Sequence, residues 1–247
     1  VSSAASTPLP WQLLGTSVEV NGMSTPLFFV SPRQINAQMP FGISGQARVS
    51  VRTSGGFVWS AAVTVPVVPS APKLFTKTMD GKGEPILCHA ADWSLVSASS
   101  PARPGEYLIL FLTGLGAVSP AIPAGQAGGD NGGHGPLNQL PPGAVTVSLG
   151  GRSVTITFAG LAPTFVGLYQ VNVQLPNDIV SGTHALVVST KDGASQAGLL
   201  VPVEGAVAPP MEFVLIPAGE FMMGCSPGDI GCYVREKPSH RVQITKS

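Results

Sequence analysis

QINAQMP at residues 34–40 and QVNVQLP at residues 170–176 carry the same polar residues at the same spacing and differ only at apolar positions. Their flanks match too. Upstream, PLPWQLLGTSVEVNG (8–22) aligns with PLNQLPPGAVTVSLGG (136–151), and downstream ISGQARVSVRTSGG (43–56) aligns with IVSGTHALVVSTKDG (179–193). Both copies close on VPV, at 65–67 and 201–203. A string that recurs together with its flanks marks an internal repeat. The chain therefore carries two copies of one β-rich module, and the motif marks the same strand in each.

Composition narrows the class. Only 11% of the 247 residues are charged, the formal net charge is zero, and Lys and Arg nowhere cluster, which argues against nucleic acid as a partner. The 30 Gly and 24 Pro, set among short Val/Thr/Ser-rich runs, predict many short strands joined by tight turns and hardly any helix. The longest apolar run, YLILFL at 107–112, is far short of the ~20 residues a membrane-spanning helix needs, so no membrane insertion is expected. No basic segment followed by an apolar one opens the chain, and its N-terminus is read as falling inside a longer sequence.

PGEYLILFLTGLG (104–116) reads as a core strand buried on both faces. AVTVSLGG and SVTITFAG read as a hairpin whose turn uses Gly150 and Gly151, and LYQVNVQLP, HALVVST and AGLLVPV supply further strands. LFTKTMDGKGEPILCHA (74–90) reads as a hairpin turning at 80–83, and the Gly/Pro-rich stretch 120–143 as a long, exposed loop. The fold class expected is all-β, with two tandem Ig-like β-sandwich domains at 1–70 and 71–204.

In the first module only residues 1–7 stand where the second has PGEYLILFLTGLG, so the first is expected to lack an N-terminal strand, leaving an edge open to strand association. After a linker at 205–210, residues 211–247 change style and open a third domain, a short incomplete β segment with an apolar strand at 213–216.

Alternation along the motif strands puts Gln34, Asn36 and Gln38 on one face, and Gln170, Asn172 and Gln174 on the equivalent one. Such rows can read a sugar or a peptide backbone, or can satisfy the backbone of a neighbouring loop. Trp11, Trp59 and Trp93 would form a carbohydrate platform if coplanar and exposed; core or edge positions are the alternative. Cys225 and Cys232 flank a Ser-Pro-Gly-Asp turn and are candidates for a local disulfide, with two free thiols as the alternative, while Cys88 stands alone on a strand. Asp130, Asn131 and His134 offer too few carboxylates for a calcium cage. His89, His134, His184 and His240 lie in separate segments with no nucleophile motif beside them, so no catalytic, metal or cofactor residue is assigned and no cofactor is expected.

TSVEVNGMSTPLFFVSPRQINAQMP, PARPGEYLILFLTGLGAVSP and FAGLAPTFVGLYQVNVQLP together resemble a family of uncharacterised bacterial secreted proteins built from tandem IPT/TIG-like, immunoglobulin-type domains, over residues 8–204. That resemblance implies a fold and an extracellular, cell-surface or periplasmic setting. MEFVLIPAGEFMMG with EKPSHRVQITK resembles the opening of the formylglycine-generating enzyme, or sulfatase-modifying factor, superfamily, over 211–247 alone. The function expected is a non-catalytic extracellular scaffold or spacer presenting a following domain. One alternative is a carbohydrate- or protein-binding adhesion module; the other is the N-terminal portion of a formylglycine-generating-type protein whose catalytic part lies elsewhere.

Overall fold

The computed structural model describes residues 1–53, 58–205, 218–224 and 239–245, and among these there are strands and turns but no α-helix. Two compact units form, residues 1–207 and residues 208–247. Both copies of the repeat lie in the first.

In the second copy, alternation builds the outer strands and continuous apolarity the central one. β8 (Lys73–Leu74), β9 (Leu87–His89), β10 (Tyr107–Thr113), β13 (Thr155–Leu161) and β14 (Tyr169–Gln174) make one antiparallel sheet. Its order is β13-β14-β10-β8, with β9 also pairing β10. The facing sheet joins β11 (Val145–Leu149), β12 (Arg152–Ser153), β15 (Gly182–Thr190), β16 (Gly193–Ala194) and β17 (Leu200–Val203). In β11, Val145, Val147 and Leu149 point inward while Thr146 lies exposed, the pattern of a strand with one wet face. Between the sheets Leu87, Leu110, Val171, Leu186, Val188 and Val201 form a continuous core, as in an Ig-like β-sandwich.

The first copy repeats this plan in less complete form. β2 (Ser17–Val20), β3 (Met23–Ser24), β6 (Gly45–Arg52) and β7 (Val63–Val67) form one sheet in the order β3-β2-β6-β7. β1 (Ser2–Ser3), β4 (Leu27–Val30) and β5 (Ile35–Ala37) form the other, in the order β1-β4-β5. Strand registers coincide between the copies. Val20 faces Val49 as Leu149 faces Leu186, and Gly45 faces Val67 as Gly182 faces Val203. Phe29 opposite Asn36 matches Phe158 opposite Asn172, and each pair lies just past a β-bulge, at Leu27/Phe29 and at Ile156/Phe158. A bulge reproduced at one register position is a built feature of the module.

Two expectations need correction. AVTVSLGG and SVTITFAG pair only at Ser148–Ser153 and Leu149–Arg152; beyond the Gly150–Gly151 turn the chain crosses into the opposite sheet as β13. Buried Val154 marks the crossing: its side chain is committed to the core, and β11 pairs over its whole length with β15 instead. The 120–143 loop is not an exposed excursion throughout. Asn138 is 1% exposed, donates from Nδ2 to the Pro120 carbonyl at 2.7 Å and accepts the Gly129 N–H on Oδ1 at 2.8 Å. One buried amide thereby ties both limbs of the loop together, so few apolar residues are needed to order it.

In the second unit, β18 (Gly219–Met223) pairs antiparallel with β19 (His240–Ile244), and Glu220 and Arg241 form an exposed ion pair at 3.0 Å. The anticipated strand at 213–216 lies outside the described residues.

Candidate functional site

The motif strand β14 runs down the middle of its sheet, so its alternate side chains divide between core and outer face. Val171, Val173 and Leu175 enter the core. Gln170, Asn172 and Gln174 occupy the outer face, and there Gln170 Nε2 donates to Asn172 Oδ1 at 2.8 Å. In β5 the Gln34 Nε2 donates to Asn36 Oδ1 at the same 2.8 Å. The third amide differs. Gln174 Nε2 donates to the Gly105 carbonyl at 3.3 Å, pinning the turn before β10, whereas Gln38 is buried and its Oε1 accepts the Gly125 N–H at 2.5 Å. All six amides are thus brought to equivalent positions, and four of them bond each other in pairs along their own strands.

Register decides what stands beside the amides, because cross-strand partners share a face. Gln170 faces Phe111, Asn172 faces Ile109 and Gln174 faces Tyr107. On the other side Asn172 faces Phe158. Trp93 is 60% exposed and stacks on Phe111, with centroids 6.5 Å apart and planes 23° from parallel. An exposed indole therefore lies beside an amide row, with half-exposed Tyr107 further along the same strand. Trp59 stands elsewhere, under the Arg52 guanidinium at 5.0 Å. Trp59 lies in the first copy under Arg52, Trp93 in the second on Phe111, and Trp11 is half-exposed in the first. Phe111 and Tyr107 escaped the sequence reading because both sit in an apolar run that reads as core.

The two copies are joined by a second constellation that the sequence reading missed. Leu9 N–H donates to the Gly125 carbonyl at 2.8 Å while Gly125 N–H reaches Gln38, so the loop of one copy clasps the other. The linker lies along a glycine track. Ala71 N–H donates to the Gly114 carbonyl at 2.7 Å; a Cβ at Gly114 would collide with the Ala71 carbonyl oxygen, and one at Gly116 would come within 2.8 Å of the Pro69 carbonyl oxygen. Buried Ser70 donates to Asp192 Oδ2 at 2.7 Å. Tyr169, whose hydroxyl is pushed up to about 12 by burial, donates to the Gly116 carbonyl and stays a donor there at any physiological pH. The GLG string at 114–116 was the available signal: closely spaced turn glycines mark a place where another backbone passes nearby.

Among the histidines, His89 is buried, with Nδ1 at 3.0 Å from Glu106 Oε2 and Nε2 at 3.1 Å from the Ser100 carbonyl and 3.3 Å from the Ser100 hydroxyl. Glu106 Oε1 also accepts the Arg103 N–H at 2.6 Å. Ser100 thus offers both its carbonyl and its hydroxyl to Nε2, while the Glu106 carboxylate faces Nδ1. The cluster fastens the 97–106 segment to β9. Asp130 is likewise consumed locally: its carboxylate contacts His134 Nδ1 at 2.9 Å and accepts the Gly132 N–H at 2.8 Å. Asn131 Oδ1 accepts the Leu137 N–H. Among the described residues no group of three or more His, Cys, Asp or Glu is arranged to hold a metal ion. Burial and the neighbouring Asp92 charge push the Cys88 thiol up, away from thiolate chemistry. Cys225 and Cys232 lie outside the described residues.

No protein-family model matches the chain, and no curated protein is similar to it in sequence. Among solved structures it is similar to SGBP-B of the Bacteroides ovatus mixed-linkage glucan utilization locus, in complex with a mixed-linkage heptasaccharide. Identity is 12% and the TM-score 0.33 over 85% of this chain, which spans 40% of that protein's length. A likeness at this level assigns neither ligand nor site.

Proposed function

We propose that the chain is a non-catalytic scaffold of an extracellular or cell-surface protein, in which tandem Ig-like modules at about 1–70 and 71–204 hold a downstream domain at a fixed spacing. The observation that carries this reading is the junction: the Gly125 clasp on Leu9 and Gln38, with the linker in its glycine track, couples the two modules through backbone bonds as well as side chains. A flexible connector would need none of these. Spin labels at exposed Ser24 in β3 and exposed Thr146 in β11 test the reading by the distance between them. A single narrow distribution is expected, broadened by Gly114→Val; a broad distribution in the unaltered chain would overturn the spacer.

A second reading, a glycan- or protein-binding module, is favoured by one feature, the exposed Trp93 on Phe111 beside the Gln170 row. An indole face suits the apolar face of a sugar ring, and the half-buried Asn172 amide, held by buried Gln170, suits a hydroxyl. Retardation of the chain in polysaccharide-containing gels, lost in Trp93→Ala, is the expected result; equal mobility of both proteins in every polysaccharide would remove it. The reading as the N-terminal portion of a formylglycine-generating-type protein rests on the resemblance of residues 211–247 alone.

A further inference from the structure

The outer face around Trp93 carries more aromatic surface than one indole. Leu74 and Leu112 are register partners and both are buried, so alternation turns Phe75 and Phe111 to the outer face, where the Phe75 N–H donates to the Phe111 carbonyl at 3.3 Å. Phe75 is 45% exposed, and Phe111 adjoins both it and the indole stacked on it. Trp93 itself sits at φ 63°, a left-handed conformation that a side chain of this size rarely adopts. Its N–H bond to the His89 carbonyl at 2.9 Å holds it there, beside a turn in which Asp92 Oδ1 accepts the Ser94 N–H at 2.9 Å. The fold sustains this strain and presents an indole outward, fixed before any ligand arrives.

Lys73 lies opposite Thr113 on the same face, two residues along each strand from Phe75 and Phe111 and on the order of 7 Å away. There a cleft of about 510 Å³ opens, lined by Lys73, Phe75, Asp80, Lys82, Thr113 and Gln196. Gln196 takes up the backbone of Leu74, its Oε1 accepting the N–H at 3.1 Å and its Nε2 donating to the carbonyl at 2.7 Å, so this stretch of β8 is not open to an added strand. The charges in the cleft are unequal. Asp80 is consumed by its own turn, Oδ1 accepting the Thr78 hydroxyl at 2.5 Å and the Lys82 N–H at 2.9 Å. Lys77 is paired with Glu84. Among the described residues neither Lys73 nor Lys82 has a carboxylate oxygen within 4.0 Å. Exposed aromatic faces therefore lead into a cleft that holds two ammonium groups without ion-pair partners.

We propose that this face binds an acidic polysaccharide, a chain of sugar rings bearing carboxylates. The inference rests on the reading of the chain as a glycan-binding module and adds the charge of the glycan. One sugar ring lays its C–H face on the aromatic surface of Trp93 and Phe75, and a carboxylate further along the chain reaches Lys73 and Lys82. Asp92 puts a negative charge beside Trp93 and the lysines put positive charge at the cleft, so the acid group is drawn to the cleft end. The sealed backbone of Leu74 disfavours a peptide strand as the occupant.

The full 247-residue chain is titrated calorimetrically with polygalacturonate, alginate and hyaluronate, each beside its carboxyl-reduced form, and with polyglutamate. At least one acidic polysaccharide is expected to bind, and its reduced form about tenfold more weakly or less. Trp93→Ala should weaken binding about tenfold or more. Lys73→Gln and Lys82→Gln, both at exposed positions, should each weaken it about two- to fivefold. Arg48→Gln, exposed on β6 of the first copy, should leave it unchanged. Equally tight binding of polyglutamate overturns the proposal, as does a loss on Arg48→Gln that matches the lysine variants, the mark of unspecific attraction. Equal affinity for the acidic and reduced forms overturns it too, while leaving the glycan reading in place. Binding of no polysaccharide in either form removes both.

Discussion

The same seven-residue motif lives in two environments. In the second copy it is a central strand whose apolar side chains vanish into a two-sheet core; in the first it is an edge strand over a core reduced to Val18, Leu27 and Val30 with half-buried neighbours. Local sequence, bulge and register are shared, so the contrast isolates the contribution of one neighbouring strand. Without β10's equivalent, the module keeps its topology but leaves both backbone and apolar surface uncovered. Stability in a β-sandwich therefore resides in the pairing of strands across the sheet more than in the propensity of any one of them.

Amide exchange breaks or sharpens this contrast most. Val171 and Val173 should exchange only through global opening, and Ile35 and Ala37 through local fluctuation, a difference of about a thousandfold or more; equal protection would mean that other residues close the edge. Next comes core truncation. Leu110→Ala should cost about 2–5 kcal/mol in urea unfolding, and Val49→Ala, half-buried over an open core, about 1 kcal/mol or less. Equal costs would place Val49 in a closed core.

Asn138→Ala tests the loop that the second copy alone possesses. It strands the Gly129 N–H and the Pro120 carbonyl, and a loss of about 1–3 kcal/mol is expected, read as a lowered Tm. The smallest effect is at the tip of the same loop. The His134 side chain first, then the backbone N–H groups of His134 and Gly132, hold the Asp130 carboxyl down at about 2. Because the folded value is depressed, the contribution is complete above the unfolded carboxyl value of roughly 3.9 and is lost as pH falls through about 2. The Gly132 and His134 amide resonances should stay fixed down to about pH 4 and then shift with a midpoint near 2; a midpoint near the ordinary carboxyl value would show that the tip is not closed.

Much of the fold was legible because it rests on short-range pattern. Alternation in VTVSL, continuous apolarity in YLILFLT and paired glycines at 150–151 each prescribe local geometry without reference to distant residues. The repeat went further, since matched flanks implied matched registers. The loop at 120–143 was misread for a physical reason: it is ordered by one buried amide and by close backbone approach at glycines, which leave no apolar signature. Phe111 and Trp93 were opaque in the same way, because only cross-strand register brings them beside Gln170.

The sequence by itself determined the strands, their turns and the duplication, all properties of the chain read along its length. Tertiary structure alone decided that Gln38 clasps Gly125 whereas Gln174 pins Gly105, that Trp93 lies on Phe111, and that the linker runs in a glycine track. Gln38 and Gln174 are the same residue in the same motif, and an amide that both donates and accepts takes whichever backbone group the surrounding fold brings within reach.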